Sequence, residues 1–498
     1  MKNHFIRLFI LTVNLIFSID TYGNTGINPW QNMTQNDLKL IHDTILENTP
    51  LEIKTAPPNY KNWLESGYLA ALQRVPTIEN FSGYIYDLRF YVNGFQDYHT
   101  KVVPLLKIMN PSEQWPGFIV AMRNEQYKVI FSSHATNIWQ SLPPVGSTLL
   151  GCDGQTAEQL MRTNVLPYWG GNVTYPSTWQ EVSTHLFTWD NNPWGTQFKT
   201  CSFSQAGTIH SYELHWVPVY NNTPLANMNP IDVNLMVETG AFGPIPEFGI
   251  HSIGKDGVWI SIPIFAWGLA AQGSDTTQLL NGIANKMSEL KNKRLIIFDV
   301  RGNTGGDPQY MRPILVNLYG ENYLKSLGQA FAWNNANITQ FRVSAGNLKN
   351  MITSKSPVSM IAQMQQAIAH HQTHMDYTTN AFSNSDDKII AYVKPITAKV
   401  IVVTDGRCGS ECTSFVKDLL SIPNTIQVGQ PTAIVAASTW NRVIVFPDQA
   451  AALLFPTGMQ LGSNQSFNKP LIPTYIYSGD MGNTKELQDW ILQLFSQN

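Results

Sequence analysis

Lys399–Thr432 reads KVIVVTDGRCGSECTSFVKDLLSIPNTIQVGQPT, and the rest of the chain is best read outward from it. Val400–Thr404 is a short, continuous, β-branched run, the pattern of a parallel strand buried on both faces. Asp405-Gly406 breaks that run, Thr413–Leu420 then places apolar residues at helical spacing, and Ile426–Val428 predicts the next strand. Ser410 therefore falls at the carboxyl end of a strand and the amino end of a helix. Ligands of open α/β sheets collect at such edges. Backbone N–H groups and the helix dipole favour negative charge there. That setting suits a nucleophile whose reaction passes through an oxyanion. The plainer alternative is a serine that only caps its helix.

The same architecture is written upstream. Val258–Phe265 predicts a strand, Thr276–Lys291 a helix and Arg294–Val300 a buried strand, together a β-α-β unit. Asp299–Gly306 (DVRGNTGG) follows at the strand's carboxyl end, where glycines permit unusual backbone angles and close approach of a substrate. The G-x-G-x-x-G spacing of a dinucleotide site is absent. Glu321–Asp387 reads as an insertion, helical in part. Within it His370 and His374 would share a helix face, either solvated or as a metal pair, without the intervening Glu of a zincin. Downstream lie predicted strands at Val443–Phe446 and Ala451–Phe455, a turn at Pro456-Thr457-Gly458 and a closing helix at Lys485–Phe495.

The first third differs. Asn36–Glu47, Lys61–Gln73 and Gly83–Asn93 have helical apolar spacing, and the last breaks at Gly94 before Asp97-Tyr98-His99-Thr100. Val102 onward is extended. Gly117–Ile130 predicts two strands around Arg123-Asn124-Glu125, and a helix is expected at Thr156–Met161. Such a small β-rich module can bind an extended peptide by adding it to an edge strand, or can be a plain accessory domain. Trp169–Pro230 reads as strands and long loops.

The chain has 498 residues, enough for several domains, and a net charge of −3 with no run of like charges, which gives no reason to expect nucleic acid or an acidic membrane surface as partner. Met1–Gly23 has the form of a secretory signal peptide: Lys2, His4 and Arg7, then the apolar Leu8–Phe17, then small or polar residues. The apolar stretch is short for a membrane span. An exported, soluble mature chain is expected, periplasmic or secreted. Its four cysteines suit two disulfides. Cys408 and Cys412 bracket Ser410, leaving Cys152 and Cys201 for each other, though spacing alone does not fix the pairing. No nearby His or Cys pair completes a metal site with Cys408 and Cys412.

Three separated motifs now agree. Leu295–Gly306 (LIIFDVRGNTGG) resembles the signature strand and glycine turn of the tail-specific, or carboxyl-terminal processing, serine peptidases and the tricorn core. Val400–Thr432 resembles the nucleophile strand, elbow and following strand of that family, and aligning Gly429-Gln430-Pro431-Thr432 with its G-x-P-T turn places Ser410 on the nucleophile. Asp97-Tyr98-His99-Thr100 resembles the D-G-H-T element of the tricorn-like branch, and Gly146–Met161 the end of a PDZ-like module.

The resemblance implies an α/β (α+β multidomain) chain with a crotonase-like ββα catalytic core. The implied division is a signal peptide at 1–23, an N-terminal helical region carrying the histidine at 24–110, and a PDZ-like module at 111–165. A β- and loop-rich linking region at 166–250 and a catalytic core at 251–498 follow, the insertion at 321–387 belonging to the core. The processing-peptidase lysine has no counterpart in Ala433–Trp440, so the resemblance assigns the general base to His99. The late carboxylate of the tricorn-like branch is missing from Gly458–Ser478, where Asn464, Asn468 or a water would stand in, and Thr304 replaces a family glycine.

The expected chemistry is Ser410 attack on a peptide carbonyl, with His99 taking the proton and returning it to the leaving amine. Backbone N–H groups of Glu411 and of Gly305 or Gly306 would hold the oxyanion. Asp97 reads as a turn residue or a triad acid, and Asp299 and Arg301 as braces of the glycine turn. No cofactor or metal is implied. The expected function is an exported endopeptidase acting on unfolded or carboxyl-terminal protein segments. The alternatives are an inactive peptide- or ligand-binding protein on the same fold, or a small-substrate esterase or amidase.

Overall fold

The computed structural model describes residues 28–52, 59–105, 113–133, 140–218, 248–265, 285–290, 292–306, 308–328, 337–379, 396–461 and 467–495, with a few isolated positions between them. The signal-like segment Met1–Gly23, most of the predicted helix Thr276–Lys291, and Asn464 lie outside the described residues.

The core is a six-stranded sheet in the order Gly249–Ile253, Gly257–Ser261, Leu295–Asp299, Lys399–Thr404, Thr425–Gly429 and Tyr475–Ile476. The first pair is antiparallel and all later pairs are parallel. Period-two alternation sorts its side chains. Val258, Ile260, Ile296, Phe298, Val400 and Val402 pack to one face against the helices Pro308–Tyr319 and Glu411–Leu420. Trp259, Ile297, Ile401 and Val403 pack to the other against Leu487 and Ile491 of Thr484–Phe495. Both faces are covered, so the strands have no polar face to show, as their unbroken apolar runs require. Each such side chain contributes ~1.5–3 kcal/mol by leaving water. Leu295 pairs with Lys399 and Asp299 with Val403, so the two strands end level and deliver the glycine turn and the serine turn to one edge.

A second sheet joins the two ends of the chain. Its long strand Ala451–Gln460 pairs with Ser438–Val445 on one side, and with Lys101–Pro104 and Asn337–Arg342 end to end on the other; His374–Thr379 extends it. The insertion is therefore partly helical, as expected, and also lends two strands to this sheet. The strand Ala451–Gln460 runs through Pro456–Gly458, where a turn was expected. Gly458 is small for a packing reason: a Cβ there would stand 2.8 Å from Thr339 Cγ2 and 2.9 Å from Phe341 Cε1 on the adjoining strand. His370 and His374 do not share a helix face. The helix Val358–Ala369 ends at its cap His370, and His374 opens a strand. Among the described residues no group of three or more His, Cys, Asp or Glu converges as a metal site would require.

Helices Pro29–Asn48, Tyr60–Arg74 and Phe81–Asn93 pack Leu38, Ile41, Ile45, Leu64, Leu88 and Tyr91 against one another and against Leu453 and Phe455 of this second sheet. Asn80 caps the third by accepting from Gly83 N–H at 3.1 Å, and the helix stops at Gly94. The small module is a separate antiparallel sheet of Phe118–Arg123, Gln126–Ser132, Thr148–Cys152, Thr200–Gln205 and Thr208–Glu213. Asn124 and Glu125, both at positive φ, turn its first hairpin as a two-residue turn of the hand that matches strand twist. A disulfide joins the paired residues Cys152 and Cys201, and a second joins Cys408 and Cys412. No helix among the described residues is long and apolar enough to cross a membrane.

Candidate active site

The serine turn is built from buried neighbours around one exposed side chain. Asp405–Gly409 are buried, whereas Ser410 is exposed as the N-cap of Glu411–Leu420. Its backbone sits at φ 49° and ψ −126°, and its side chain makes no cap hydrogen bond. A non-glycine residue held at positive φ costs on the order of 1–3 kcal/mol and persists only where the surroundings enforce it. Here the enforcement is visible. Cys408 and Cys412 are bonded across the turn, Cys412 N–H donates to Gly409 O at 2.9 Å, and Gly409 N–H donates to Asn303 O at 3.2 Å.

Asn303 connects this turn to the neighbouring one. Its Nδ2 donates to Ile262 O at 2.8 Å, and its Oδ1 accepts from Gly305 N–H at 2.8 Å. Gly305, at φ +103°, lies directly behind the serine. A Cβ there would meet Ser410 Cβ at 2.7 Å, Gly409 O at 2.8 Å and Glu411 N at 2.9 Å. The Gly305 N–H is committed to Asn303 Oδ1, whereas the Gly306 N–H has no acceptor among the described residues. Gly306 must itself be glycine, because a Cβ would lie 1.9 Å from Phe265 O.

Two buried acids fix these turns, as expected for Asp299. Arg301 Nε and Nη2 donate to Asp299 Oδ1 and Oδ2 at 2.8 and 2.7 Å, with Arg301 Nη1 reaching Met481 O and Trp259 Nε1 donating to Asp299 Oδ2 at 3.2 Å. Asp405 accepts from Gly302 N–H at 2.9 Å and Arg407 N–H at 3.0 Å. Burial pushes the Asp405 carboxyl up to about 6 against the pull of those partners.

His99 follows the third helix and precedes the strand Lys101–Pro104. That strand's register, Lys101 to Leu454 and Val102 to Leu453, fixes where the imidazole can reach. His99 Nδ1 lies 2.8 Å from Ser438 Oγ, and Ser438 Oγ donates to Asp97 Oδ1 at 2.7 Å. Asp97 also accepts from His99 N–H at 3.2 Å, Tyr60 Oη at 3.1 Å and Thr100 Oγ1 at 3.2 Å. Burial holds the His99 imidazole below its usual range. The Asp97 charge opposes that shift and Lys101 adds to it.

The histidine loop and the serine turn are linked through intermediate contacts. Ala433 N–H donates to Cys408 O at 3.0 Å, and the segment from Ala433 to Ser438 spans at most ~18 Å when extended. Tyr98, beside His99, donates to Glu181 and feels the charge of Arg407, three residues before Ser410. Gln180, next to Glu181 on the helix Pro176–Val182, donates to Gln430 Oε1 at 3.4 Å. Nothing local in Ala433–Trp440 marks Ser438 in the sequence, and Asn303 reads there only as part of a glycine turn.

Fold and site together define a multidomain α/β protein with several sheets and a strained serine at a strand–helix junction. The sequence matches no protein-family model and no curated protein. Among solved structures the chain is similar to mature CPAF, with a TM-score of 0.64 and 14% identity over 94% of this chain and 98% of that one. It is equally similar to mature CPAF complexed with lactacystin, with a TM-score of 0.62 and 14% identity over 94% of this chain and all of the other. The tricorn protease superposes more loosely, at a TM-score of 0.39 and 12% identity, covering 93% of this chain and 37% of that one. At 14% identity the likeness to CPAF is one of fold.

Proposed function

We propose that this chain is a serine-type peptidase in which Ser410 is the nucleophile and His99 the general base. The observation that carries this reading is the backbone of Ser410, an exposed serine at φ 49° and ψ −126° on a strand-to-helix turn. That sharp, strained junction is how a nucleophile elbow presents its hydroxyl. A serine that merely capped its helix would turn its hydroxyl back onto the first N–H groups, and this one does not.

His99 takes the Ser410 proton as the hydroxyl oxygen attacks the scissile carbonyl, then delivers it to the departing amine. Glu411 and Gly306 N–H groups face the oxyanion, each such donor being worth ~3 kcal/mol in the transition state. Water completes the second half-reaction, His99 again taking the proton. The substrate is an extended segment of an unfolded or carboxyl-terminal protein region, for which the exposed strand Thr208–Glu213 at the edge of the small module offers backbone pairing. Two disulfides fit action outside the reducing cytosol.

The test is labelling of the mature protein by a fluorophosphonate. Attachment at Ser410 that is abolished in Ser410→Ala and His99→Ala, with turnover of peptides and not only of simple esters, is the expected result. An unlabelled protein with native circular dichroism makes the chain a binding protein on this fold. Turnover confined to esters makes it an esterase.

A further inference from the structure

We infer that Ser438, backed by Asp97, is the positioning residue that sets the tautomer of His99, so that a hydroxyl stands between the imidazole and its carboxylate. The inference rests on the peptidase reading above and deepens it.

The argument is a count of protons. Asp97 receives His99 N–H, Ser438 Oγ and one proton from the pair Tyr60 Oη and Thr100 Oγ1, which also hydrogen-bond to each other, a set that a carboxylate can satisfy because it only accepts. Ser438 has a single hydroxyl proton, and the 2.7 Å contact with Asp97 Oδ1 takes it. Were that proton turned to His99 instead, two acceptor oxygens would face each other at 2.7 Å. The remaining 2.8 Å contact must therefore run from His99 Nδ1–H to the Ser438 lone pair. A neutral imidazole with its proton on Nδ1 has its lone pair on Nε2, the nitrogen then available to Ser410. When Nε2 takes the serine proton, the resulting imidazolium keeps its Nδ1–H on Ser438, whose dipole is held by Asp97. No proton has to pass along the chain.

The parts are fixed in place. Ser438 is 3% exposed and opens a strand that pairs with Met459, and Asp97 is 4% exposed. Sequence position adds a second point. Ser438 lies in the segment after Gly429–Thr432 that holds no lysine, and no Asp or Glu occurs between Gly458 and Ser478. The support for the histidine comes from its own loop, through a residue more than three hundred positions away.

The experiment compares wild type, Ser438→Ala, Ser438→Thr, Asp97→Asn and His99→Ala by peptide kinetics, with ¹⁵N-histidine NMR to read the His99 tautomer. Ser438→Ala is expected to lower kcat about 100-fold with KM unchanged, and to abolish the preference for the Nδ1–H form. Ser438→Thr, which keeps a hydroxyl, restores kcat to within about tenfold and restores the tautomer. Asp97→Asn can offer an amide proton to Ser438, turning its hydroxyl toward Nδ1, and is expected to lower kcat by about 1,000-fold or more. If Ser438→Ala keeps wild-type kcat and tautomer while His99→Ala is inactive, the relay is overturned and the peptidase reading stands. If His99→Ala is itself as active as wild type, the peptidase reading falls and the relay with it. Should Ser438→Ala not fold, the wild-type spectrum decides: a proton found on Nε2 overturns the inference.

Discussion

Gly305 is the glycine that directly backs the proposed nucleophile. Its φ of +103° disfavours any side chain, and a methyl group would stand 2.7 Å from Ser410 Cβ and 2.9 Å from Glu411 N. Gly305→Ala is expected to lower kcat/KM at least about 100-fold, because a displacement near 1 Å at the reacting atoms has that effect; peptide kinetics on a variant with native circular dichroism check it. Asn303→Ala acts differently, leaving the buried Ile262 carbonyl and Gly305 N–H without their partner. It should cost ~2–5 kcal/mol of stability, measured by urea unfolding, along with activity. For His99 the sign is set by burial, which favours the neutral ring. The acid limb of kcat/KM is therefore expected below the ordinary histidine value of about 6.5, with more than half of the activity retained at that pH. A limb above it in a pH–rate profile contradicts the assignment. The setting of Ser410 was legible in the sequence as a strand–helix break, whereas His99 is singled out by the resemblance of Asp97–Thr100 to a family motif. Ser438 was not legible, since its role is defined only by a partner on another strand.

At the scale of elements, the two disulfides make a contrast that can be measured. Cys152–Cys201 closes a loop of 49 residues and Cys408–Cys412 one of 4. By chain entropy the first contributes ~4 kcal/mol and the second ~2 kcal/mol. All four cysteines are buried, so the cost of removing sulfur is similar for each pair. The double replacement Cys152→Ala/Cys201→Ala is thus expected to lower Tm more than Cys408→Ala/Cys412→Ala. The order of activity loss should be the reverse, because only the second pair spans the serine turn. Scanning calorimetry and peptide turnover on both variants decide this. The buried strands could be read directly, since Leu295–Asp299 and Lys399–Thr404 are apolar without interruption. The helix Pro176–Val182 could not, because PSTWQEV has too few apolar residues at helical spacing to stand out. Pro456-Thr457-Gly458 misled in the opposite direction, its turn-like composition reflecting tight packing against Thr339 and Phe341.

At the scale of the molecule, the helical region and the small module meet around a stack in which Arg89 lies over Trp169 and Trp169 lies 3.9 Å from the ring of His185. Burial, with the Arg89 charge adding to it, pushes His185 down to about 3. A histidine lowered on folding contributes its full stability above its unfolded value near 6.5 and loses it as pH falls toward 3. Wild type should lose about 3 kcal/mol from this residue between pH 6.5 and 4. His185→Phe, which keeps a ring without the charge, is expected to flatten that decline in urea titrations. The three N-terminal helices were legible from apolar spacing, whereas the strands Thr200–Gln205 and Thr208–Glu213, which complete the small module's sheet, read only as part of a linking region. The sheet that binds residue 101 to residue 454 was not legible, since neither strand carries any mark of its partner.

That pairing bears on when the protein acquires its chemistry. Ribosomes make the imidazole within the first hundred residues, yet the backbone ladder that aims it is not complete until Ala451–Leu454 has emerged. On the peptidase reading, a chain cut off before Ala451 would carry the imidazole without the strand pairing that aims it.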